Sequence, residues 1–160
     1  MNKTQLLKQI QAELEFVYQG AIDAAQRAYD TATDEENEAE NKYDTLGLEA
    51  SYLAHGQSKR VGECEADLIA FKKLKPVVFL PGETVALGAL ICIEDENGVE
   101  KFTFLSPVAG GLKIEFNAKE ITVITPSAPL GKALSNSLVG DDIEVTIGDD
   151  KKHYQITAIY

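Results

Sequence analysis

Residues 6–28 read LLKQIQAELEFVYQGAIDAAQRA, and apolar side chains return in this stretch at alternating intervals of three and four residues. The apolar series consists of Leu7, Ile10, Leu14, Val17, Ala21, Ala24 and Ala28. This spacing places one apolar stripe along an α-helix and is typical of a helix that packs in a coiled coil. Because the large residues come first and the alanines follow, we expect a bulky contact near the start of the helix and a close contact towards residue 30.

A second apolar series runs in the opposite order of size and ends before residue 75. It consists of Leu46, Ala50, Leu53, Val61, Cys64, Leu68 and Phe71. The step from Leu53 to Val61 is one residue longer than a heptad, which predicts a disturbed seam and a candidate kink at Gly56. The two series together predict an antiparallel helical hairpin with its turn at residues 31–37. The candidate N-cap residues of the second helix are Asp30, Thr31, Thr33 and Asp34.

The chain changes character at residue 76, where the first of its five prolines occurs. Short apolar runs predict strands at 77–80, 84–93, 99–105, 112–116, 121–124, 143–147 and 154–159. Asn97-Gly98 predicts a hairpin turn, and the segment PLGKAL at 129–134 predicts a short helix that begins with proline. The predicted fold class is therefore α+β, with a coiled-coil hairpin at 1–75 and a small, mostly antiparallel sheet domain with one short helix at 76–160.

Composition limits the function classes that fit this chain. A formal net charge of −11 over 160 residues argues against a broad basic surface for duplex nucleic acid. Cys64 and Cys92 are isolated, so neither a disulfide nor a zinc site is expected, and His55 and His153 are too far apart to suggest a metal site. The absence of a long apolar run predicts a cytoplasmic protein without a membrane segment.

Residues 30–44 read DTATDEENEAENKYD and hold seven carboxylates against one lysine. One interpretation is a solvated loop with acidic residues near a helix start. The other is a group of carboxylates that binds a hard cation such as Mg²⁺, which prefers oxygen ligands. Such a tip would lack a complete set of ligands, so a second site would have to complete the coordination.

Three features near the C-terminus carry a family resemblance. They are the segment APLGKAL at 128–134, Gly140-Asp141 before a strand, and a closing strand at 154–160. Upstream, the pattern Phe-x-x-Gly-x-x-Val-x-Leu is matched by Phe79, Gly82, Val85 and Leu87. On these residues, the stretch 76–160 resembles the C-terminal domain of the Gre transcript-cleavage factors, a family of transcription elongation factors. The first 75 residues resemble the same family in length, hairpin pattern and acidic tip.

The resemblance implies an FKBP-like C-terminal domain that docks on bacterial RNA polymerase. The implied partner surface is the coiled coil of the β′ subunit at the rim of the secondary channel. Pro129, Leu130 and Leu134 are the docking residues that the resemblance implies.

The resemblance further implies that the hairpin enters the channel and that Asp34, Glu36 and Glu38 help to hold Mg²⁺ shared with the polymerase active site. The protein would then be no enzyme itself and would have no cofactor of its own. It would act as a monomer on polymerase and meet the 3′ end of the nascent RNA indirectly. Lys59 and Arg60 are candidate contacts to RNA phosphate, although a solvated helix face is the simpler explanation for this pair.

The tip departs from the family motif Asp-x-x-Glu-Asn-x-Glu-Tyr. Pairing Glu36-Asn37 with the Glu-Asn of the motif puts Thr33 at the aspartate position. Two hypotheses therefore stay open: stimulation of cleavage of backtracked RNA, or a channel-binding modulator or inhibitor without cleavage activity. A prolyl isomerase, suggested by fold alone, and a structural coiled-coil adaptor are the remaining classes.

Overall fold

The computed structural model describes residues 2–35, 38–43 and 45–160. In chain order the elements are α1 (Lys3–Thr33), α2 (Leu46–Lys72), β1 (Leu90–Asp95), β2 (Glu100–Leu105), β3 (Lys113–Phe116), β4 (Lys119–Ile124), α3 (Pro129–Leu134), β5 (Asp142–Ile147) and β6 (Asp150–Ile159). The predicted fold class, a helical hairpin followed by a mostly antiparallel sheet with one short helix, is confirmed. No helix in the described part of the chain has the length and apolar character needed to cross a bilayer.

The chain forms two compact units. One consists of residues 11–69, and the other combines residues 2–10 with residues 70–160. Composition predicts a division between residues 75 and 76, whereas in the structure the first turns of α1 and the last turn of α2 group with the sheet. The sheet unit therefore takes part of its core from both helices.

Within residues 11–69, α1 and α2 run side by side in opposite directions. Ala28 of α1 shares a surface groove with Ala50 of α2, whereas Ile22 shares a groove with Val61. An earlier position in α1 thus lies beside a later position in α2. Small buried residues on both helices, such as Ala28 and Ala50, allow this close approach.

The seam of α2 is more regular than the sequence predicted. The seam consists of Gly47, Ala50, Ala54, Gln57, Val61, Cys64, Leu68 and Phe71, all buried or half-buried and at alternating intervals of three and four without interruption. Leu53 is 56% exposed, so the predicted disturbance of the seam is wrong. The helix α2 passes through Gly56 without a break. In α1, similarly, Tyr18 is half-buried where Val17 is exposed. In α2, close packing favours smaller or more adaptable side chains, so the exposed Leu53 does not mark the seam.

The connection between the helices begins later than predicted. Because α1 extends to Thr33, the hydroxyls of Thr31 and Thr33 donate back to the carbonyls of Arg27 (2.9 Å) and Tyr29 (3.0 Å). Asp30, Thr31 and Thr33 therefore lie in the last turn of α1, and the prediction that they cap α2 is wrong. Asp34 likewise does not cap α2, which begins at Leu46. Thr45 directly precedes α2, and its hydroxyl donates to Glu49 Oε1 at 2.7 Å.

The six strands form one sheet in the order β3-β4-β2-β1-β6-β5. The pairing of β2 with β4 is parallel, and the other four pairings are antiparallel. The predicted strand at 77–80 is wrong, because this stretch is irregular and β1 begins only at Leu90. Residues 76–89 instead cross the end of the sheet, where Gly88 N donates to Leu105 O at 2.8 Å.

The turn between β1 and β2 confirms the prediction made from Asn97-Gly98. Gly98 has φ +77°, and its N–H donates to Asp95 O at 2.9 Å. The Asp95 carboxylate also accepts the N–H groups of Asn97 and Val99, both at 3.0 Å. The hydrogen bond from the Val99 N–H lowers the pKa of the Asp95 carboxyl most. The hydrogen bond from the Asn97 N–H and the charge of Lys101 lower this pKa further. The turn is therefore anchored by an ionised aspartate.

Both faces of the sheet are covered. On one face the core contains Val85, Ala89, Ile91, Ile93, Leu105, Ile124, Leu134, Ile143, Val145 and Ile156. On the other face the helix ends contribute, since the rings of Phe71 and Phe104 lie 6.5 Å apart. Leu6 and Ile10 of α1 are fully buried in the same unit. The sheet thus needs the base of the hairpin as well as α3.

Lys3 is a buried lysine that joins the start of α1 to the segment before β1. Only 7% of its surface is exposed, and Nζ donates to the carbonyls of Val77 and Gly88, both at 2.6 Å. Nζ also lies 4.3 Å from the centre of the Phe79 ring. Burial lowers the pKa of the Lys3 ammonium from 10.5 to about 8.

A buried lysine with a lowered pKa makes stability depend on pH. Between about pH 8 and pH 10.5 the unfolded chain binds more protons than the folded one, so stability rises with pH. Relative to Lys3→Met, the wild type should gain roughly 1–3 kcal/mol in free energy of unfolding across this window. Urea denaturation at a series of pH values measures the difference.

The control for this prediction is Lys8→Met, which removes an exposed ammonium from the same helix. It should keep the pH dependence of the wild type. Parallel curves for wild type and Lys3→Met would contradict the prediction.

Candidate functional site

α3 is short, and its position depends on a glycine. Pro129 occupies the first turn of α3, where a backbone N–H would have no partner within the helix, so proline loses no hydrogen bond. Ala128, which precedes it, has extended backbone (φ −69°, ψ 151°). Gly131 faces the preceding loop, and a Cβ at this position would overlap the carbonyl oxygen of Thr125. Only glycine therefore lets α3 approach the loop this closely.

The three predicted docking residues on α3 have different environments. Pro129 is exposed and Leu130 is half-buried, so both can contribute to a surface. Leu134 is fully buried in the core beside Ile124 and Ile143, so the prediction that it contacts a partner is wrong. The reason is geometric: Gly131 and Leu134, three positions apart, share the buried face of α3.

An open groove of about 510 Å³ lies on the sheet face beside Leu130. It is lined by Ile93, Glu100, Lys101, Phe102, Thr103, Lys113, Lys119, Glu120, Thr122, Leu130 and Tyr154. The residues come from five strands and α3, and the sequence did not predict this grouping. The alternation of side chains along β2 could have predicted that Lys101 and Thr103 share one face of the sheet. The remaining lining residues come beside them only through the order of the strands.

The groove carries charged side chains along its rim. Lys113 Nζ lies 2.9 Å from Glu120 Oε1, and Lys101 Nζ lies 3.6 Å from Asp95 Oδ2. Lys119 Nζ lies 3.9 Å from the centre of the Phe102 ring. These lysines are local positive charges on a protein whose net charge is −11. The groove can therefore bind a ligand that combines apolar surface with negative charge.

The acidic connection lies between α1 and α2. Within it the described carboxylate residues Asp34, Glu35, Glu38 and Glu40 are exposed. Glu36, a predicted metal-binding residue, lies outside the described residues. Residues 34, 35, 38 and 40 form no ready-made set of three metal ligands, nor does any other described group. Exposed carboxylates of this kind suit a hard cation that is shared with a second set of ligands.

Lys59 and Arg60, the candidate RNA contacts, are exposed on α2. The Arg60 guanidinium lies 4.0 Å from the Glu63 carboxylate, one helical turn away. An exposed pair at this distance contributes little to stability, so Arg60 can exchange this partner for another anion. Contact with RNA phosphate stays a prediction.

Comparison with known proteins identifies relatives across most of the chain. Residues 80–160 match the family model described as transcription elongation factor, GreA/GreB, C-terminal. The chain is 29% identical to transcription elongation factor GreA of Rhodospirillum rubrum over 155 residues, covering 96% of this chain and 92% of the relative. It is 32% identical to GreA of Mesorhizobium japonicum over 121 residues, covering 76% and 71%. The matched region of the family model contains α3 and the whole groove.

One solved structure matches nearly the full length of the chain. It is the crystal structure of GreA factor homolog 1 (Gfh1) of Thermus thermophilus, with 22% identity and a TM-score of 0.39. The match covers 98% of this chain and 93% of that chain.

Gly131 provides a test of how α3 is held. Gly131→Ala should destabilise the protein by about 1–3 kcal/mol, because the added methyl group forces α3 away from Thr125. Gly62→Ala is the matched control, since a Cβ at Gly62 in α2 meets open space. It should stabilise the protein by about 1 kcal/mol. Urea denaturation measures the free energy of unfolding of both variants. Equal changes in this free energy for the two variants would contradict the prediction.

Proposed function

Because the chain belongs to the GreA/GreB family of transcription elongation factors, we propose that it binds bacterial RNA polymerase at the secondary channel and stimulates cleavage of backtracked RNA. The observation that carries this proposal is the exposed acidic connection between two antiparallel helices. Its described carboxylate residues, Asp34, Glu35, Glu38 and Glu40, are exposed to solvent. In this function the protein assists a reaction of the polymerase and catalyses none alone.

Docking is assigned to the surface formed by Pro129, Leu130 and the adjoining groove. Pro129 is exposed, and Leu130 lines the groove together with Tyr154. The proposed partner is the coiled coil of the β′ subunit at the rim of the channel. An apolar patch beside charged groups suits a helical partner, because apolar anchors give affinity and charges give orientation.

The proposed catalytic contribution lies in Asp34, Glu36 and Glu38. When bound, Mg²⁺ would supply charge neutralisation at the phosphate and activation of a water. The carboxylates of this chain would bind and orient that ion only together with ligands of the polymerase. Lys59 and Arg60 would lie against RNA phosphate. One factor would serve each polymerase, which is consistent with a monomer.

The second candidate function is a channel-binding modulator or inhibitor of polymerase that stimulates no cleavage. The observation that favours it is the sequence at 30–44, in which the family tip motif is not reproduced. Thr33, at the aspartate position of one pairing, lies within α1 and bonds to the carbonyl of Tyr29. Both functions use the same docking surface and differ only in the chemistry of the tip.

Transcript cleavage separates the two functions. Purified polymerase is stalled and backtracked, the protein is added with Mg²⁺, and shortened RNA that can be re-extended is measured. We expect cleavage with the wild type. With Asp34→Ala combined with Glu36→Ala, the rate should fall at least about tenfold while binding is retained, since two candidate metal ligands are removed.

The matched control removes two exposed carboxylates elsewhere on the hairpin, by Glu13→Ala combined with Glu65→Ala. It should cleave like the wild type. Binding of the wild type without cleavage would establish the modulator instead. Failure of the wild type to bind polymerase would refute both functions.

A further inference from the structure

Thr103 has an unusual environment in the centre of the sheet. It is 4% exposed, and in the described part of the chain its hydroxyl is the buried side-chain oxygen that lacks a hydrogen-bond partner. Buried polar groups are normally satisfied, because leaving one without a partner lowers stability. Valine has nearly the same shape and would avoid this loss. The retention of a hydroxyl at this position therefore suggests that Thr103 forms a hydrogen bond with a bound partner.

The position of Thr103 allows contact with a partner, because the residue lines the groove beside α3. The strand pairings align Thr103 on β2 with Thr122 on β4 and with Ile91 on β1. Thr122 is aligned in turn with Lys113 on β3. Neighbouring strands lie about 4.8 Å apart, so a lysine two strands away can extend its ammonium over the hydroxyl. A different χ1 rotamer of Thr103 would change the direction of its hydroxyl without moving the backbone.

The charges around Thr103 indicate what the groove binds. Lys101 and Lys113 stand on the same face of the sheet as Thr103, as the alternation and pairing of the strands require. Their partners Asp95 and Glu120 form ion pairs that are partly or largely exposed to water. Exposed pairs of this kind contribute little energy, so a ligand anion can replace the carboxylates. The hydroxyl is free to donate, and a carboxylate only accepts.

We propose that the groove receives a side-chain carboxylate of RNA polymerase, which accepts hydrogen bonds from the Thr103 hydroxyl and from Lys113 or Lys101. An apolar residue beside that carboxylate packs on Leu130 and Tyr154, which line the same groove. This inference rests on the proposed function, since polymerase is the partner. It adds a charged recognition element to the apolar contact assigned to α3.

The test compares Thr103→Val with the wild type in two measurements. The substitution removes the unpaired hydroxyl, so the melting temperature should rise by a few degrees. Affinity for core polymerase, measured by fluorescence anisotropy, should nevertheless fall about tenfold, because a hydrogen bond to a charged group is lost. Thr103→Ser keeps the hydroxyl and should bind polymerase with the affinity of the wild type. Higher stability together with weaker binding distinguishes a binding group from a structural one.

Two further variants complete the design. Thr157→Val is the matched control, because the Thr157 hydroxyl donates to Cys92 O at 3.2 Å. It should lower the melting temperature and leave binding unchanged. Lys113→Met should weaken binding and reduce its dependence on salt.

The outcomes separate the two proposals. If the wild type does not bind polymerase, the proposed function fails. If the wild type binds and both Thr103→Val and Lys113→Met bind equally well, this inference is wrong while the function stands. A titration with inorganic phosphate and with poly-glutamate tests the ligand class. Displacement of polymerase by phosphate but not by poly-glutamate would overturn the carboxylate assignment in favour of a small-anion site.

Discussion

The central strands of the sheet are buried on both faces, and the rest of this protein depends on what covers them. On one face α3 inserts Leu134 beside Ile124, and the absence of a side chain at Gly131 permits that approach. On the other face the ring of Phe71 packs near Phe104. The base of the helical hairpin is therefore part of the core of the sheet. Removing the helices would expose apolar strands that have no other cover.

The same arrangement explains how charge is distributed. The hairpin ends in an acidic connection that carries exposed carboxylates, whereas the sheet collects lysines around one groove. An acidic protein that presents lysines along one groove can contact an acidic partner surface there, while the carboxylates of the hairpin can contact a cation. The two surfaces belong to different compact units, so each can be altered without disturbing the packing of the other.

Much of the architecture could be predicted because it depends on local patterns. The periodicity at 6–28 and the proline at 129 predicted α1 and α3, and Asn97-Gly98 predicted its turn. The seam of α2 was harder, because Ala54 and Gln57 lie in it while the larger Leu53 is exposed. Hydrophobicity alone ranks leucine above glutamine, whereas the distance between two closely packed helices favours the smaller or more adaptable side chain.

The candidate site shows the limit of prediction more sharply. The family, the acidic stretch at 30–44 and a short helix that begins at Pro129 can be read from the sequence alone. The core position of Leu134, and the groove that Lys113 and Thr103 line together, are apparent only in the folded chain. The physical reason is that strand order and the facing of a short helix arise from pairing between distant segments. The strand β2 lies beside the hairpin of β3 and β4 through a parallel crossover, which leaves no periodic trace along the chain.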